Sequence, residues 1–179
     1  GDKAETKEAV TAAVSEGNKL KVDHTNSSIT WLGKKVTGQH TGTINLQSGE
    51  LILKEGKLVG GTFVVDMLSL DNKDIKDPEY KGKLESHLKS DDFFAVEKFP
   101  TSKFEITDVK HLENGKIAIA GNLTLRDSTK NISYEADVTE SSDTKFSANA
   151  DFNINRKDWG VAYTGMKDDL ISDEINFKI

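Results

Sequence analysis

From Lys19 to Ile179 the chain alternates apolar and polar residues with a period of two. Leu20 and Val22 share one side, as do Ile29 and Trp31, Ile44 and Leu46, and Leu51 and Leu53. Phe63, Val65 and Met67 form a longer row, followed by Phe104 with Ile106 and by Ile117, Ile119, Leu123 and Leu125. Ile132, Tyr134, Ala136 and Val138 precede Phe146, Ala148, Ala150, Phe152 and Ile154, and Ile175, Phe177 and Ile179 close the chain. This is the pattern of antiparallel strands with one face on a core and one in water. Ser48-Gly49, Glu55-Gly56, Asn114-Gly115 and Ser142-Asp143 read as turns, and Asn-Gly is the strongest hairpin signal of the four. About eight to ten meandering strands predict an all-β sandwich or a closed up-and-down barrel. Closure removes the edges that such strands would otherwise expose.

Residues 71–100 break the period. DNKDIKDPEY is rich in turn formers, and EYKGKLESHLKSDDFF reads as a helix, with Leu84 and Leu88 four apart. Pro78 suits its first turn, Gly82 weakens it, and Pro100 imposes an extended entry to the next strand. Ser90 or Asp91 is placed to cap a short turn over residues 92–96. The expectation is a short helical crossover near residues 79–97. Its His87, Phe93, Phe94 and Phe99 would cap one end of an eight-stranded antiparallel barrel. Residues 1–17 offer only a thin apolar face of Ala9, Val10, Ala13 and Val14, and Gly17-Asn18 is a stop signal. They read as a flexible tether outside a barrel domain of residues 18–179.

Phe146, Ala148, Ala150 and Phe152 run large, small, small, large along one face, and Gly121 interrupts its strand. Small inward residues leave room, which bulky neighbours could fill, because interiors pack to a density of about 0.75. A solid core and a ligand cavity are both open. A cavity with these walls suits a long apolar chain rather than a sugar or nucleotide. Alternation places Trp31, Phe63, Val65, Met67, Phe104, Ile119, Tyr134, Phe146, Ala148, Phe152 and Phe177 on its lining.

The net charge of −6 and the lack of a basic stripe argue against a nucleic-acid partner. No apolar run is long enough for a membrane-spanning helix. The absence of cysteine removes disulfide and thiolate chemistry and fits any redox compartment. The first residue is Gly1 rather than Met, which is compatible with a processed or engineered end. The four histidines lack metal-ligand spacing, and DNKD with DIKD is half a calcium loop without its Gly and Glu. No metal and no cofactor is expected. Asp91-Asp92 point about 100° apart on a helix, which suits solvent contact better than a shared site. Asp168-Asp169 and Asp173-Glu174 read as a solvated loop. Arg126, Lys130, Arg156 and Lys157 follow strands, where they either solubilise turns or hold a ligand head group at a barrel mouth.

Three blocks together carry a family resemblance: HLKSDDFFAVEKFPTSKFEIT, GNLTLRDSTKNISYEADV and FNINRKDWGV. They resemble the signature blocks of the YceI-like, or polyisoprenoid-binding-like, family, and DHTNSSITWLGKKVTGQHTGTI and GGTFVVDMLSL fit the same pattern upstream. The resemblance runs from about Lys19 to Ile179. The chain departs from the family pattern at Asp127, where Gly is usual, and at Asn131, where Pro is common. The GxW signature of true lipocalins is absent near the start.

The resemblance implies an eight-stranded lipocalin-like barrel with a helical segment near one end. It also implies a hydrophobic pocket for an isoprenoid or related amphiphilic lipid, and a secreted or periplasmic bacterial location, commonly as a lipoprotein. A polar tether after a lipidated cysteine upstream of Gly1 would fit an outer-membrane anchor. The functional expectation is non-enzymatic binding, storage or transport of a long-chain lipid. Two rivals stand beside it. One is a lipid hydrolase or isomerase using His87, Asp92 or Tyr134 as acid or base. The other is a solid-core barrel that acts through its surface in stress protection or as a scaffold. The oligomeric state is open, a homodimer included.

Overall fold

The computed structural model describes residues 1–12 and 16–179. Twelve strands follow one another as β1 (Asp2–Lys3), β2 (Glu5–Glu8), β3 (Asn18–Lys21), β4 (Ile29–Lys35), β5 (Gly38–Lys54), β6 (Lys57–Asn72), β7 (Thr101–His111), β8 (Lys116–Leu125), β9 (Ser128–Ser141), β10 (Phe146–Asn155), β11 (Gly165–Met166) and β12 (Asp169–Lys178). Helix α1 (Pro78–Lys89) lies between β6 and β7, and a 3-10 turn (Arg156–Trp159) follows β10. Eight strands form a closed ring in the order β10-β12-β4-β5-β6-β7-β8-β9, and β9 pairs back onto β10. All ring pairings are antiparallel.

The hairpins form where the turn chemistry predicts. Glu55-Gly56 and Asn114-Gly115 both have positive φ at the two central positions, which is the twist that suits a two-residue hairpin. Ser48-Gly49 is not a turn. β5 runs unbroken through it, with a register shift between Leu46 and Ser48. Such bulges bend a strand without ending it, so an insertion there mimics a turn in sequence. At the β8–β9 turn only the first central residue, Arg126, has positive φ, so Asp127 needs no glycine.

The N-terminal tether expectation is corrected for residues 2–8. β9 and β10 pair only from Phe146↔Ser141 to Ala150↔Ala136 and then part company. Residues 2–8 occupy the seam. β1 runs parallel to Phe152 and Asn153, Ala4 N donates to Asn153 O (2.7 Å), and β2 pairs with Lys130–Ser133. Ala4 is 3% exposed and packs with Leu125, Ile132, Phe152, Ile154 and Trp159. The segment supplies partners for backbone groups that the diverging strands leave open. That demand is non-local, so periodicity within residues 1–17 does not reveal it. Of the small apolar residues there, Ala13 and Val14 lie outside the described residues.

The helix spans Pro78–Lys89 rather than residues 79–97. It ends because Ser90 is extended (φ −77°, ψ 173°), and residues 91–98 continue as turns. Ser90 caps through its carbonyl, which accepts from Phe93 N (3.0 Å) and Ala95 N (2.9 Å), while its hydroxyl donates back to His87 O. Asp77 caps the start by accepting from Glu79 N. No helix residue is fully buried, so polar bonds fasten α1 to the barrel. Lys81 Nζ bridges Asp71 (2.5 Å) and Glu85 (2.7 Å), and Glu85 accepts from the backbone N of Asn72 (2.7 Å). Asn72 is fully buried and donates to Thr41 O and Asp74 Oδ1. The residues that looked like half a calcium loop are therefore consumed by this latch.

Hydrogen bonds from Lys73 and then Lys81 hold the Asp71 carboxyl far below the usual carboxylate range, and Asp71 with Glu85 raises Lys81. A depressed folded-state pKa gives stability above the unfolded value of about 3.9 and loses it as pH falls further. Below about pH 4 the latch should therefore weaken. Acid titration of hydrogen exchange at α1 should show this loosening, and Asp71→Asn should flatten the pH dependence while lowering helix protection at neutral pH. A charged side chain at Ala4 should release the seam. Ala4→Glu is expected to remove exchange protection at Glu5–Glu8 and cost about 1–3 kcal/mol in urea unfolding, with the ring pairings intact.

Candidate functional site

The barrel is hollow. Its interior holds a cavity of about 1120 Å³, above the range of about 300–1,000 Å³ typical of pockets for drug-sized ligands. Trp31, Phe63, Val65, Met67, Phe104, Ile119, Tyr134, Phe146, Ala148, Phe152 and Phe177 all line it, together with Ala150 and Ala136. The alternating pattern places them inward despite the shift between Ser147 and Ala148, which falls near the open end of β10. Each of the three clusters of buried apolar residues contributes to its lining, among them Leu125 and Ile132, Ile44 and Leu70, and Leu58 and Ile106.

Aromatic rings make a track around that wall. Ring centres lie 6.3 Å apart for Phe63–Phe104, 5.9 Å for Phe104–Tyr134 and 6.0 Å for Phe152–Phe177. Tyr134 stacks on Phe152 at 4.0 Å with planes 9° apart. Trp31 extends the track as the cross-strand partner of Phe177, and its indole N donates to Thr43 O (3.1 Å). Two glycines make room for the rings. A Cβ at Gly121 would sit 2.3 Å from Phe104 Cζ, and one at Gly42 would sit 2.4 Å from Trp31 Cζ2. Gly121 thus interrupts its strand because a ring from the neighbouring strand lies across it.

α1, the turns at residues 91–98 and the 3-10 turn roof one end. Leu84, His87, Leu88, Phe93 and Phe94 line the cavity there. Phe93 is 5% exposed, and its ring meets those of His87 (5.0 Å) and Tyr163 (5.5 Å) edge-on. Phe99, expected in this cap, does not line the cavity. It is half-buried in the turn before Pro100, its N donating to Ala95 O (2.9 Å). Ala95 adopts φ 45°, which swings the chain between Phe94 and Val96. His87 Nε2 lies 2.9 Å from Asp92 Oδ2, and both side chains are substantially exposed (40% and 53%). Asp91 pairs with Lys98 at the surface.

Four functional side chains escaped the sequence reading in role or altogether. Arg126 donates from Nη1 to Asp91 O (3.2 Å) and Phe93 O (3.1 Å), so it pins the cap instead of solubilising a turn. Arg156 is 1% exposed and donates to Val161 O (2.7 Å), Ser172 O (3.0 Å) and Ile171 O (3.4 Å). Burial pushes its pKa down. Tyr163 completes the cap's aromatic cluster, and Ser102 lines the cavity with an unpartnered hydroxyl. The remaining basic pairs are surface contacts, Lys130 to Glu8 and Lys157 to Asp173. Asp169 is not loop solvent either. It begins β12 and binds Lys35 and the Thr37 hydroxyl. The Arg126 and Arg156 positions follow strands, but only tertiary contact reveals that each satisfies backbone carbonyls.

Inside the cavity the one strongly displaced titration is that of Tyr134. Burial alone pushes its phenol well up, so it stays protonated and a donor at neutral pH. Among the described residues no group of three or more His, Cys, Asp or Glu could hold a metal ion. No described helix is long and apolar enough to cross a membrane.

Comparison with known proteins agrees with this architecture. The YceI-like domain family pattern matches residues 20–179. A UPF0312 protein of Vibrio campbellii is 32% identical over 98 residues, covering 54% of this chain and 48% of the relative. A UPF0312 protein of Shewanella denitrificans is 42% identical over 52 residues, 29% of this chain and 27% of its own length. The matched region thus spans about half or less of these curated relatives. Among solved structures, Burkholderia cenocepacia BcnA superposes with a TM-score of 0.71 at 18% identity, covering 88% of this chain and 96% of that one. A polyisoprenoid binding domain from Saccharophagus degradans, implicated in plant cell wall breakdown, gives 0.68 at 14% identity, covering 91% and 95%. At these identities the likeness is one of fold.

A hollow lumen makes a specific demand on Ala150. Ala150→Phe places a ring in free space rather than in a packed core, so stability should change by less than about 1.5 kcal/mol. A solid core would instead lose about 1–3 kcal/mol through overpacking, and denaturant unfolding separates the two.

Proposed function

The chain belongs to the YceI-like family, and from that premise and its hollow barrel we propose that it is a non-enzymatic carrier of an isoprenoid or similar long-chain amphiphilic lipid. The observation that carries this reading is the cavity of about 1120 Å³ behind an aromatic and aliphatic wall. Burial of apolar surface is worth about 25 cal/mol per Å², less ordering costs, so a long chain binds there without a strong polar contact. Phe93 and Phe94 form a removable cap in this reading, held by Arg126 through Phe93 O and by the polar bonds that fasten α1. The resemblance to the polyisoprenoid binding domain supports an isoprenoid chain as the first ligand to try. In the same proposal the protein is exported, and it works in the periplasm or anchored at the outer membrane through a lipidated segment upstream of Gly1. No resident cofactor enters this account.

Native mass spectrometry of protein mixed with a long polyprenol tests the reading. One-to-one uptake by the parent protein, reduced in Ala150→Phe, is the expected outcome. An unoccupied protein under saturating polyprenol would count against it. Conversion of the lipid that disappears in His87→Ala would identify an enzyme instead.

A further inference from the structure

Two turns at the α1 end of the barrel leave apolar side chains in water. Val36 sits on the β4–β5 turn and is 72% exposed. Met166 and Leu170 flank the β11–β12 turn and are 75% and 51% exposed. The two turns adjoin. Val36 N donates to Leu170 O (3.1 Å), and the Asp169 carboxylate accepts from Thr37 N (3.0 Å) and the Thr37 hydroxyl (2.9 Å). Single exposed apolar residues are ordinary on a protein surface, but three on two joined turns form a patch. That patch borders the cavity. Met166 lines the lumen and stands mostly in water, so it belongs to both surfaces. Exposed Lys34 and Lys35 line the cavity beside it, so the lumen reaches solvent at this corner. Leu84 and His87 of α1 line the same end.

We propose that Val36, Met166 and Leu170 dock the barrel on a lipid bilayer, with the cavity opening turned toward the membrane. The proposal goes beyond the lipid-carrier reading and rests on it for the choice of partner. A long apolar chain crosses water only at a large cost in free energy. An opening whose rim enters the bilayer surface lets the chain pass without that exposure. The composition of the rim favours a bilayer over a protein. A stable protein interface uses about 20–30 residues a side and centres on aromatic or arginine anchors. The rim offers three unbranched or branched aliphatic side chains instead. A surface that lies in a membrane interface directs apolar residues to the acyl boundary and lysines to the head groups. Lys34 and Lys167 stand beside the patch, and among the described residues neither has an ion pair. Their stems can lie along apolar surface while the ammonium groups reach lipid phosphates. Lys35 is paired with Asp169, which leaves Asp168 as the one uncommitted acid on the two turns among the described residues. The cross-bonds matter as well. Val36 N and Thr37 N already have partners, so less hydration is lost when the turns leave bulk water. The whole chain carries a net charge of −6, so general attraction to anionic lipid does not replace the patch.

Flotation with vesicles of equal parts phosphatidylglycerol and phosphatidylcholine tests the proposal. The parent protein should float with the vesicles. Val36→Ser, Met166→Ser and Leu170→Ser combined should lower the partition coefficient at least about 10-fold, with the urea midpoint unchanged because all three side chains are exposed. Lys34→Gln and Lys167→Gln should each lower it about 5-fold on these vesicles and leave binding to pure phosphatidylcholine unchanged. Orientation is read separately. The chain has no cysteine, so Met166→Cys and Leu112→Cys each carry a single environment-sensitive fluorophore, one at the α1 end and one on the β7–β8 turn at the other. Vesicles should shift the emission of the label at 166 to the blue and leave that at 112 unchanged. A parent protein that stays unbound overturns the proposal. So does binding that survives the triple substitution, or an equal shift at both labels. Concentration-dependent dimerisation that the triple substitution abolishes assigns the patch to a second copy and overturns it as well. Polyprenol uptake by a protein that ignores vesicles overturns the docking proposal alone. Absence of polyprenol uptake overturns the carrier reading beneath it, so the two failures are distinguishable.

Discussion

Closure of the sheet between β9 and β10 is the constraint on which the cavity depends. An open eight-stranded sheet would present two edges and collapse its apolar face onto a second layer. Five residue pairs, from Phe146↔Ser141 to Ala150↔Ala136, close the ring, and β1 and β2 continue the seam where the two ring strands part. An eight-stranded ring encloses a lumen just wide enough to be filled by side chains or to hold one ligand. Here alanines at 136, 148 and 150 lie beside the closing pairs, so the wall is thin where the ring is tied.

The aromatic track and the cap both depend on that ring. Cross-strand neighbours set the spacing of Phe63 with Phe104 and of Phe177 with Phe152, and the absence of side chains at Gly42 and Gly121 lets rings lie flat against the wall. The cap is assembled from three separate segments. α1 is latched through Lys81, Glu85 and Asn72, Phe93 and Phe94 enter from the turns, and Arg126 reaches across from the β8–β9 turn. Apolar contact joins these polar ties, since Phe93, Ala95 and Val96 are buried and Val96 packs in the cluster of Trp31 and Met67.

Much of the container was legible in the sequence because a pleated strand repeats every two residues. Phe146, Ala148, Ala150 and Phe152 therefore face the lumen as their spacing requires, and the Glu55-Gly56 and Asn114-Gly115 hairpins form as their composition requires. The failures have a common physical origin in tertiary demand. Ser48-Gly49 is turn-forming locally but sits in a bulged strand with partners on both sides. Ala4 belongs to no apolar pattern and is buried because two strands separate beside it. Phe99 matches the cap in composition, yet it does not line the cavity, because residues 91–98 run as turns and carry no helical spacing that would bring it beside Phe93 and Phe94. Hollowness itself was not legible, since small inward residues are compatible with both a filled and an empty interior.

The central claim is that the lumen is a space for a lipid rather than a packed core, and electron density inside the barrel tests it most directly. A crystal structure of protein purified without detergent should show either elongated non-protein density or open solvent bounded by Trp31, Tyr134, Phe152 and Phe177. Side chains meeting across the barrel axis, with no space between Phe63, Met67 and Phe146, would contradict the account.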